Sequence, residues 1–410
     1  MNLYKQIEVE SDSRLAWIRL LLVFFICAIG FIGMWSVVMI MPAVEQEFNT
    51  NRSSSTIPYI LTMLGFGIGN IIIGKYTDKF GITKPVIFAF SCLIICYFFS
   101  VSSKNLTILS FFQFLLGFSS AAFFGPMMTD ISNFFENKRG LAVSIVASAQ
   151  HFAGAFWPFL LDFYLKDGDW RSSHILIGII CIIIIPPICY FVFKMRSKNS
   201  LKDEFKNYKN SKLTLSISSR HLQILLMFAG IGCCVGMSTP QVHIIPLCIE
   251  KGYGLSIGSN ILSIMLFCAV ISRVYFGYIA DKIGPIQTLL LGSSLQAFTL
   301  FLFIPFSDLN SLYIVSILFG LSQGGIVPSY ALIIRKFLPV NQAAERTGMV
   351  IFTTVIGMAL GGWGSGKIFD LTNSYALGFL NSVLWNLTNI AIILFIFVLY
   401  KKNKNKLLSR

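Results

Sequence analysis

The sequence is poor in charged residues, which make up 12% of its 410 positions, whereas soluble domains average about 25%. Hydrophobic residues account for 55% of the chain, and phenylalanine alone occurs 39 times. A chain with so little charge and so much apolar surface would be insoluble as a globule. The composition therefore excludes a soluble globular protein and indicates a chain that resides in lipid.

Acidic residues are especially scarce, with 18 Asp and Glu against 32 Lys and Arg, for a net charge of +14. An excess of this sign can indicate nucleic-acid binding. Here, however, the basic residues concentrate in short connectors between long apolar runs, which is typical of membrane topology. We therefore expect a lipid bilayer as the partner of this chain and no nucleic acid.

Clusters of catalytic or metal-binding residues are also missing. The nine cysteines show no metal-ligand spacing beyond isolated pairs, and most lie inside apolar runs, as inert buried thiols do. No group of His, Asp or Cys residues gathers near one end of the apolar runs, as a membrane enzyme would need. We expect no metal, no cofactor and no enzymatic activity.

Long apolar runs dominate the chain. A window of about 20 apolar residues per membrane helix finds twelve candidate spans, six on each side of one polar connector. The sequence thus predicts an all-α polytopic membrane protein. The approximate limits of the spans are 16–42, 54–76, 84–103, 105–135, 138–163, 173–195, 220–247, 255–280, 285–306, 309–336, 343–369 and 373–401.

The predicted domains are an N-terminal six-helix bundle at 1–195, a cytoplasmic connector at 196–219 and a C-terminal six-helix bundle at 220–410. Basic residues concentrate on the side that holds both termini, so the positive-inside rule places both termini in the cytoplasm. The short loops and the Lys-, Asn- and Ile-rich composition favour a bacterial source. We therefore expect a multi-pass protein of the bacterial inner membrane.

The two halves of the chain repeat a motif. Residues 74–81 and 277–284 both read G-x-x-x-D-K-x-G and lie 203 residues apart (277 − 74), and 115–120 parallels 318–323 at the same offset. The repeat predicts two pseudo-symmetric bundles. A turn of this type, repeated in two halves, resembles the signature loop of the major facilitator superfamily of transporters. That resemblance implies transport by alternating access.

The signature turns predict contacts that close the inner side of such a transporter. The glycines permit close helix approach, Asp78 and Asp281 can cap a helix N-terminus in the opposite half, and a lysine can reach Asp130. The alternative is that both turns are simply tight and solvated. The residues that we assign to gating are Gly74, Asp78, Lys79, Asp130, Arg139, Gly277, Asp281 and Lys282.

Residues 134–142 form an aromatic pair followed by basic residues and Leu-Ala. This segment resembles the start of the fifth helix in bacterial relatives of monocarboxylate transporters and oxalate:formate antiporters. In monocarboxylate carriers an eighth-helix Arg is thought to bind the carboxylate, and an Asp four residues earlier to relay a proton. Arg273 matches that Arg, but Ala269 occupies the position of the Asp. The resemblance implies an anion at Arg273 and leaves proton coupling without its usual acid.

Arg273 is the first candidate for substrate binding. It precedes Asp281 by eight residues, which places it roughly 12 Å into a hydrocarbon layer about 30 Å thick. A guanidinium at that depth must face water or a partner, and a carboxylate is its best match. The alternative is a structural arginine bonded to backbone carbonyls. Asn70, the equivalent residue of the first half, shows that this position need not be charged.

Four further residues are candidates for the substrate pathway. Gln150 and His151 lie near mid-membrane, and the histidine can bind an anion or carry a proton. Gln323 lies among glycines of the tenth span, and Trp35 could shape the mouth of a cavity. For each of them a structural role competes: a buried hydrogen bond between helices, or for Trp35 an interfacial anchor.

We therefore expect a secondary active transporter that moves a small organic anion, in particular a monocarboxylate, across the plasma membrane as a monomer. Proton symport and anion exchange both remain open. One alternative is an efflux transporter for neutral or cationic hydrophobic compounds, although Gln113 stands where drug/proton antiporters usually have an Arg. The other is a polytopic sensor or enzyme without transport activity.

Overall fold

The computed structural model describes residues 7–50, 57–166, 169–197, 215, 217–306 and 308–408. Nearly all of these residues are helical. Most of the predicted connector at 196–219 lies outside the described residues. The described part divides into two compact units, Met1–Ser200 with Asn341–Gly348, and Leu201–Val340 with Met349–Arg410.

The first unit contains a pair of short parallel strands, β1 and β2, with Ile7 opposite Met195. Its helices α1 and α2 are separated only at Phe31, and short 3₁₀ turns flank α6. The elements are β1 Ile7–Val9, α1 Arg14–Gly30, α2 Ile32–Glu47, α3 Ile57–Phe80, α4 Thr83–Ser100, α5 Leu106–Ser120, α6 Gly125–Ile131, α7 Arg139–Lys166, α8 Trp170–Lys194 and β2 Met195–Ser197.

The second unit is built from helices, and one of them, α14, begins within the part of the chain that packs with the first unit. The elements are α9 Ser219–Glu250, α10 Leu255–Ile283, α11 Pro285–Leu302, α12 Leu309–Gln323, α13 Ile326–Phe337, α14 Ala343–Thr372 and α15 Tyr375–Leu408.

Eleven segments of the described chain are long and apolar enough to cross a membrane. The remaining predicted span, 138–163, corresponds to α7, a helix of 28 residues that is long enough to cross. Its first half is rich in small and polar residues, which lowers its hydropathy. With α7, the helices account for the twelve predicted spans of an all-α polytopic membrane protein.

Polar residues mark where several helices begin. Asn105 accepts a hydrogen bond from the Ile108 backbone N–H at 2.9 Å, and Asp308 accepts one from Ser311 at 3.1 Å. These side chains satisfy N–H groups that have no partner inside the helix. The cap residues therefore set the starts of α5 and α12 at equivalent places in the two units.

The last glycine of each signature motif ends a helix. Gly81 follows α3 with a φ of +75°, and Gly284 follows α10 with a φ of +91°. Their N–H groups bond the carbonyls of Thr77 and Ala280, four residues earlier. This left-handed conformation is readily adopted only by glycine, which explains why both motifs end in that residue.

Helix packing repeats between the units at the offset found in the sequence. A side chain on Gly117 would overlap the Thr62 carbonyl, and one on Gly320 would overlap the Met265 carbonyl. Each residue of the second contact lies 203 positions after its counterpart in the first (320 − 117 and 265 − 62). Glycine lets α3 approach α5, and α10 approach α12, at backbone distance, as is common between membrane helices.

Candidate functional site

Arg273 lies on α10 with 4% of its surface exposed. The next residues, Val274 and Tyr275, are exposed on the outer side of the same helix. Because α10 is continuous from Leu255 to Ile283, Arg273 lies roughly 12 Å from Asp281 along the helix axis. Its side chain is therefore buried inside the second unit and does not face outward, as Val274 and Tyr275 do.

Arg273 lies against the end of α12. A side chain on Gly324 would overlap the backbone nitrogen of Arg273, so the two helices touch here. Among the buried side chains of the described residues there is no Asp or Glu. The charge of Arg273 thus lies in a part of the protein without buried carboxylates.

Gln323 ends α12 and is also 4% exposed. Its Oε1 accepts a hydrogen bond from Nε2 of Gln241 on α9, at 2.9 Å. Gln323 precedes Gly324, so its side chain leaves α12 close to the point where Arg273 leaves α10. The structure thus places Gln323 next to the contact between Gly324 and the Arg273 backbone, and pairs it with Gln241, which sequence analysis did not select.

In the first unit the structure brings Trp35 and Gln150 together. The indole Nε1 of Trp35 on α2 donates to the backbone carbonyl of Gln150 on α7, at 2.9 Å. A side chain on Gly154, one turn later, would overlap the indole ring. Trp35 therefore joins α2 to α7, which is a different role from an interfacial anchor.

His151 follows Gln150 on α7 and is half-buried. Successive helix residues point about 100° apart, so these two side chains diverge. The Gln150 side chain lies beside Met34, with Nε2 and the sulfur 3.9 Å apart. The two candidates are thus neighbours in the chain and belong to different faces of α7.

The first signature motif contacts the start of α14, within the unit that includes 341–348. Asp78 accepts hydrogen bonds from the backbone N–H groups of Ala344 at 3.1 Å and Glu345 at 2.8 Å. Gly74 allows the approach, since a side chain there would lie 2.6 Å from the Ala344 carbonyl oxygen. Asp78 thereby has the geometry of a helix cap, and its charge complements the positive end of the helix dipole.

Asp130 has a different partner from the lysine that we expected. Its carboxylate forms an ion pair with Arg19 on α1, at 2.6 Å, while Lys79 is exposed with Nζ 5.1 Å from the Phe80 ring centroid. The Arg19 guanidinium also donates to the Val192 carbonyl. Arg19 is almost fully buried, so it needs a nearby acid, whereas exposed Lys79 is solvated. The structure therefore pairs Asp130 with Arg19, in place of the expected lysine of the signature turn, Lys79 or Lys75.

Arg139 begins α7 and folds back on the preceding turn. Its Nε donates to the carbonyls of Ser132 at 2.9 Å and Phe135 at 2.8 Å. The same turn is bound by Asp12, whose carboxylate accepts the backbone N–H groups of Asn137 and Lys138. Sequence analysis missed Asp12, because a polar residue in an N-terminal segment carries no sign of its distant partner.

The second signature motif, like the first, ends its helix at a glycine with a positive φ. Gly277 is buried, Asp281 is half-buried, and Lys282 is exposed with its Nζ 4.4 Å from the Tyr278 ring centroid. The gating roles of both motifs remain predictions.

Sequence analysis also missed a buried polar network in the second unit. Asn389 donates to the Ser293 hydroxyl at 2.8 Å and accepts from Tyr330 at 3.2 Å. Asn386 donates to the Ser293 carbonyl at 3.0 Å. Asn386 and Asn389 are three residues apart inside an apolar run, and that spacing was the available signal. The network joins α11, α13 and α15.

The described residues contain no group of three or more His, Cys, Asp or Glu side chains that could hold a metal ion. The buried polar side chains of these residues carry guanidinium, amide, hydroxyl and imidazole groups, which can form hydrogen bonds with polar or anionic molecules.

A family model described as Major Facilitator Superfamily matches residues 23–362 and 226–408. Monocarboxylate transporter 13 of Rattus norvegicus is 22% identical over 377 residues, covering 90% of this chain and 86% of that protein. The aspyridones efflux protein apdF of Emericella nidulans is 26% identical over 313 residues, covering 73% of this chain and 60% of that protein.

Among solved structures, the human organic anion transporter MFSD10 superposes with a TM-score of 0.75. The sequences are 11% identical, and the match covers 93% of this chain and 100% of the other. At this identity the likeness shows a shared fold.

Proposed function

Because the chain belongs to the Major Facilitator Superfamily and is a membrane transporter, we propose that it moves a small organic anion, in particular a monocarboxylate. Transport proceeds by alternating access across the plasma membrane, with both termini in the cytoplasm and the protein acting as a monomer. The superfamily alone does not define a substrate, so the proposal depends on the chemistry of the candidate site.

The observation that carries the proposal is the burial of Arg273 inside the second unit, at a helix position that the residue count places near mid-membrane. Placing a guanidinium at the centre of a membrane helix costs at least about 2.5–3.5 kcal/mol. A carboxylate ligand offsets that cost with two parallel charge-assisted hydrogen bonds. Intramembrane charges of this kind commonly mark a substrate site.

The coupling of this transport has two candidate forms. The usual acid for proton symport is replaced by Ala269, and the described residues contain no buried Asp or Glu. Proton symport would therefore use another group, and half-buried His151 is the candidate. Anion exchange needs no such group, because the substrates themselves carry the charge.

Efflux of hydrophobic compounds is a second candidate, supported by the name of the relative apdF, an efflux protein for aspyridones. Under that function Arg273 would be structural. Efflux and anion uptake differ in one measurable way: only anion transport requires the Arg273 guanidinium to contact the transported molecule.

Uptake of radiolabelled carboxylates into proteoliposomes tests the proposal. Purified full-length protein is compared with and without a pH gradient, so that symport and exchange are separated. Arg273→Lys keeps the charge but loses the planar fork that matches a carboxylate. We expect carboxylate uptake by the wild type and a drop of about tenfold or more in the variant.

Arg335→Lys is the matched control, because Arg335 is another buried arginine of the second unit, in the last turn of α13. We expect it to retain wild-type uptake. Wild-type uptake in Arg273→Lys, or uptake of neutral hydrophobic compounds that is indifferent to both substitutions, would favour the efflux function.

A further inference from the structure

We propose that Gln323, held by Gln241, forms a second and neutral subsite that binds an acceptor oxygen of the substrate. The transported molecule is then a carboxylate that carries a further hydroxyl, keto or carboxyl oxygen. This inference rests on the proposed function and makes its substrate class narrower. It assigns recognition to an amide pair next to the arginine.

The first argument is the hydrogen-bonding capacity of Gln323. Its side chain has one acceptor oxygen and two N–H donors. The oxygen is occupied by Gln241 at 2.9 Å. The nitrogen is fully buried and has no hydrogen-bond partner among the described residues. A buried amide donor without a partner is costly, and a ligand oxygen would remove that cost.

The second argument is access. Gln323 itself is buried, but Gln241 is only half-buried. The pair therefore spans the boundary between the interior of the second unit and its accessible surface. Gln241 also fixes the orientation of the Gln323 amide, so that the donor is preorganised for a ligand.

The third argument is the neighbouring arginine. Gly324, the next residue after Gln323, touches the backbone of Arg273. Gln323 and Arg273 therefore lie on α12 and α10 within one residue of the same contact between these helices. A small molecule with a carboxylate and a second oxygen can engage both groups.

Matched pairs of acids test the subsite. Binding of butanoate, 3-hydroxybutanoate, 4-hydroxybutanoate and butanedioate to purified full-length protein is measured by competition against a labelled carboxylate. We expect the wild type to bind at least one of the oxygen-bearing acids about tenfold or more tightly than butanoate, since a subsite built for a polar group penalises the analogue that lacks it.

Gln323→Leu removes the amide at similar size, and Gln323→Met provides a second variant in case the first does not fold. We expect both to abolish the preference for the oxygen-bearing acids over butanoate. Gln113→Leu is the matched control, because Gln113 is a fully buried glutamine of α5 in the first unit. It should keep the preference.

Equal binding of butanoate and all three oxygen-bearing acids by the wild type would overturn the inference. So would a preference that survives in both Gln323 variants. Failure of the proposed function looks different: Arg273→Lys would then leave butanoate binding unchanged, whatever the Gln323 variants do.

Discussion

Asn70 and Arg273 occupy equivalent positions in the two units and have opposite chemistry. Asn70 is neutral and locally satisfied: it donates to the Phe66 carbonyl at 2.9 Å and accepts from the Gly125 N–H at 3.3 Å. Arg273 brings a charge to the same depth in the second unit. The repeat thus places a neutral, locally hydrogen-bonded residue in one unit and a buried arginine at the equivalent position of the other.

Next to these two residues, each unit has a close helix contact that contains one glycine and one other small residue. In the first unit a side chain on Gly69 would approach the Ala121 methyl group. In the second unit the equivalent residues are Ser272 and Gly324, and a side chain on Gly324 would approach the Ser272 hydroxyl. The glycine of this contact lies on α3 in the first unit, and directly after α12 in the second. Close approach is therefore preserved in both units.

The comparison teaches that the two units share helix contacts and differ in polar chemistry. Shared contacts reflect the fold, since they recur at glycines and helix ends. The differences include Arg273 against Asn70, and the Arg19–Asp130 ion pair of the first unit, whose equivalents in the second unit are Leu222 and Ile333. Under the proposed function, the carboxylate is recognised by Arg273 of the second unit, and the equivalent Asn70 of the first unit takes no part in its recognition.

The largest expected effect on substrate affinity comes from replacing Arg273 by asparagine, the residue at the equivalent position 70 of the first unit. Arg273→Asn removes the guanidinium, and loss of one partner from a buried charge pair costs about 2–5 kcal/mol. We expect the affinity for a carboxylate to fall about 30-fold or more. Isothermal titration of the purified protein measures the change.

Asn70→Ala is the control for that variant. Because Asn70 is bonded within its own unit, we expect carboxylate affinity to stay within about twofold of the wild type. A similar loss of affinity in both variants would contradict the asymmetry between the units.

The shared packing can be broken in either unit. Gly117→Ala and Gly320→Ala each place a methyl group against a backbone carbonyl, and overpacking of this kind costs about 1–3 kcal/mol. We expect both variants to lower the midpoint of thermal unfolding by similar amounts.

Gly364→Ala serves as the reference for those glycines, because a methyl group there would meet no atom within 4 Å. Its unfolding midpoint should equal or exceed that of the wild type. If only one of Gly117→Ala and Gly320→Ala were destabilising, the packing would not be a shared property of the repeat.

Substituting the aspartate of each signature motif in turn tests whether the two motifs differ in their contact with α14. Asp78→Asn weakens the cap on α14, and losing such a cap costs about 0.5–2 kcal/mol. We expect backbone amide exchange at Ala344 and Glu345 to speed up about 2- to 30-fold, as measured by hydrogen–deuterium exchange. Asp281→Asn should leave exchange at these two residues unchanged, and equal acceleration by both variants would refute the assigned cap.

The smallest expected effect on stability comes from the ion pair between Glu47, at the end of α2, and Arg171. Hydrogen bonding to Arg171, and secondarily to Trp170, lowers the pKa of Glu47 below its ordinary value of 4.5. The stabilisation is therefore complete above pH 4.5 and is lost as the pH falls through the lower value of the folded protein. Because both side chains are about one-third exposed, the effect should be below about 1 kcal/mol.

Glu47→Gln should flatten the dependence of the unfolding midpoint on pH between about pH 5 and pH 3. Asp308→Asn provides a comparison in the second unit, where a hydrogen bond from Ser311 lowers the pKa of the Asp308 carboxyl. An unchanged pH dependence in Glu47→Gln would show that the pair with Arg171 is not stabilising.

Much of the fold could be predicted from sequence, because membrane spans leave a strong local signal. Apolar runs of about 20 residues locate the helices, and the duplicated motif reveals the repeat. Counting residues along one helix gave the distance of Arg273 from the helix end, and its burial is seen in the structure. The glycine at the end of each motif has a local cause too, since its φ is positive.

The partners of the polar residues could not be predicted in the same way. Asp130 pairs with Arg19, 111 residues away, and Gln323 pairs with Gln241, 82 residues away. Such partners are chosen by helix packing, to which hydropathy is insensitive. The sequence could therefore suggest which residues carry chemistry, and the structure was needed to show which of them meet.

A structure of the protein with a bromine-substituted carboxylate bound tests the central claim most directly. We expect anomalous density for the bromine within the second unit and a carboxylate whose oxygens lie about 2.7–2.9 Å from the Arg273 guanidinium. A bound carboxylate whose density lies away from Arg273, with that guanidinium bonded only to protein atoms, would contradict it.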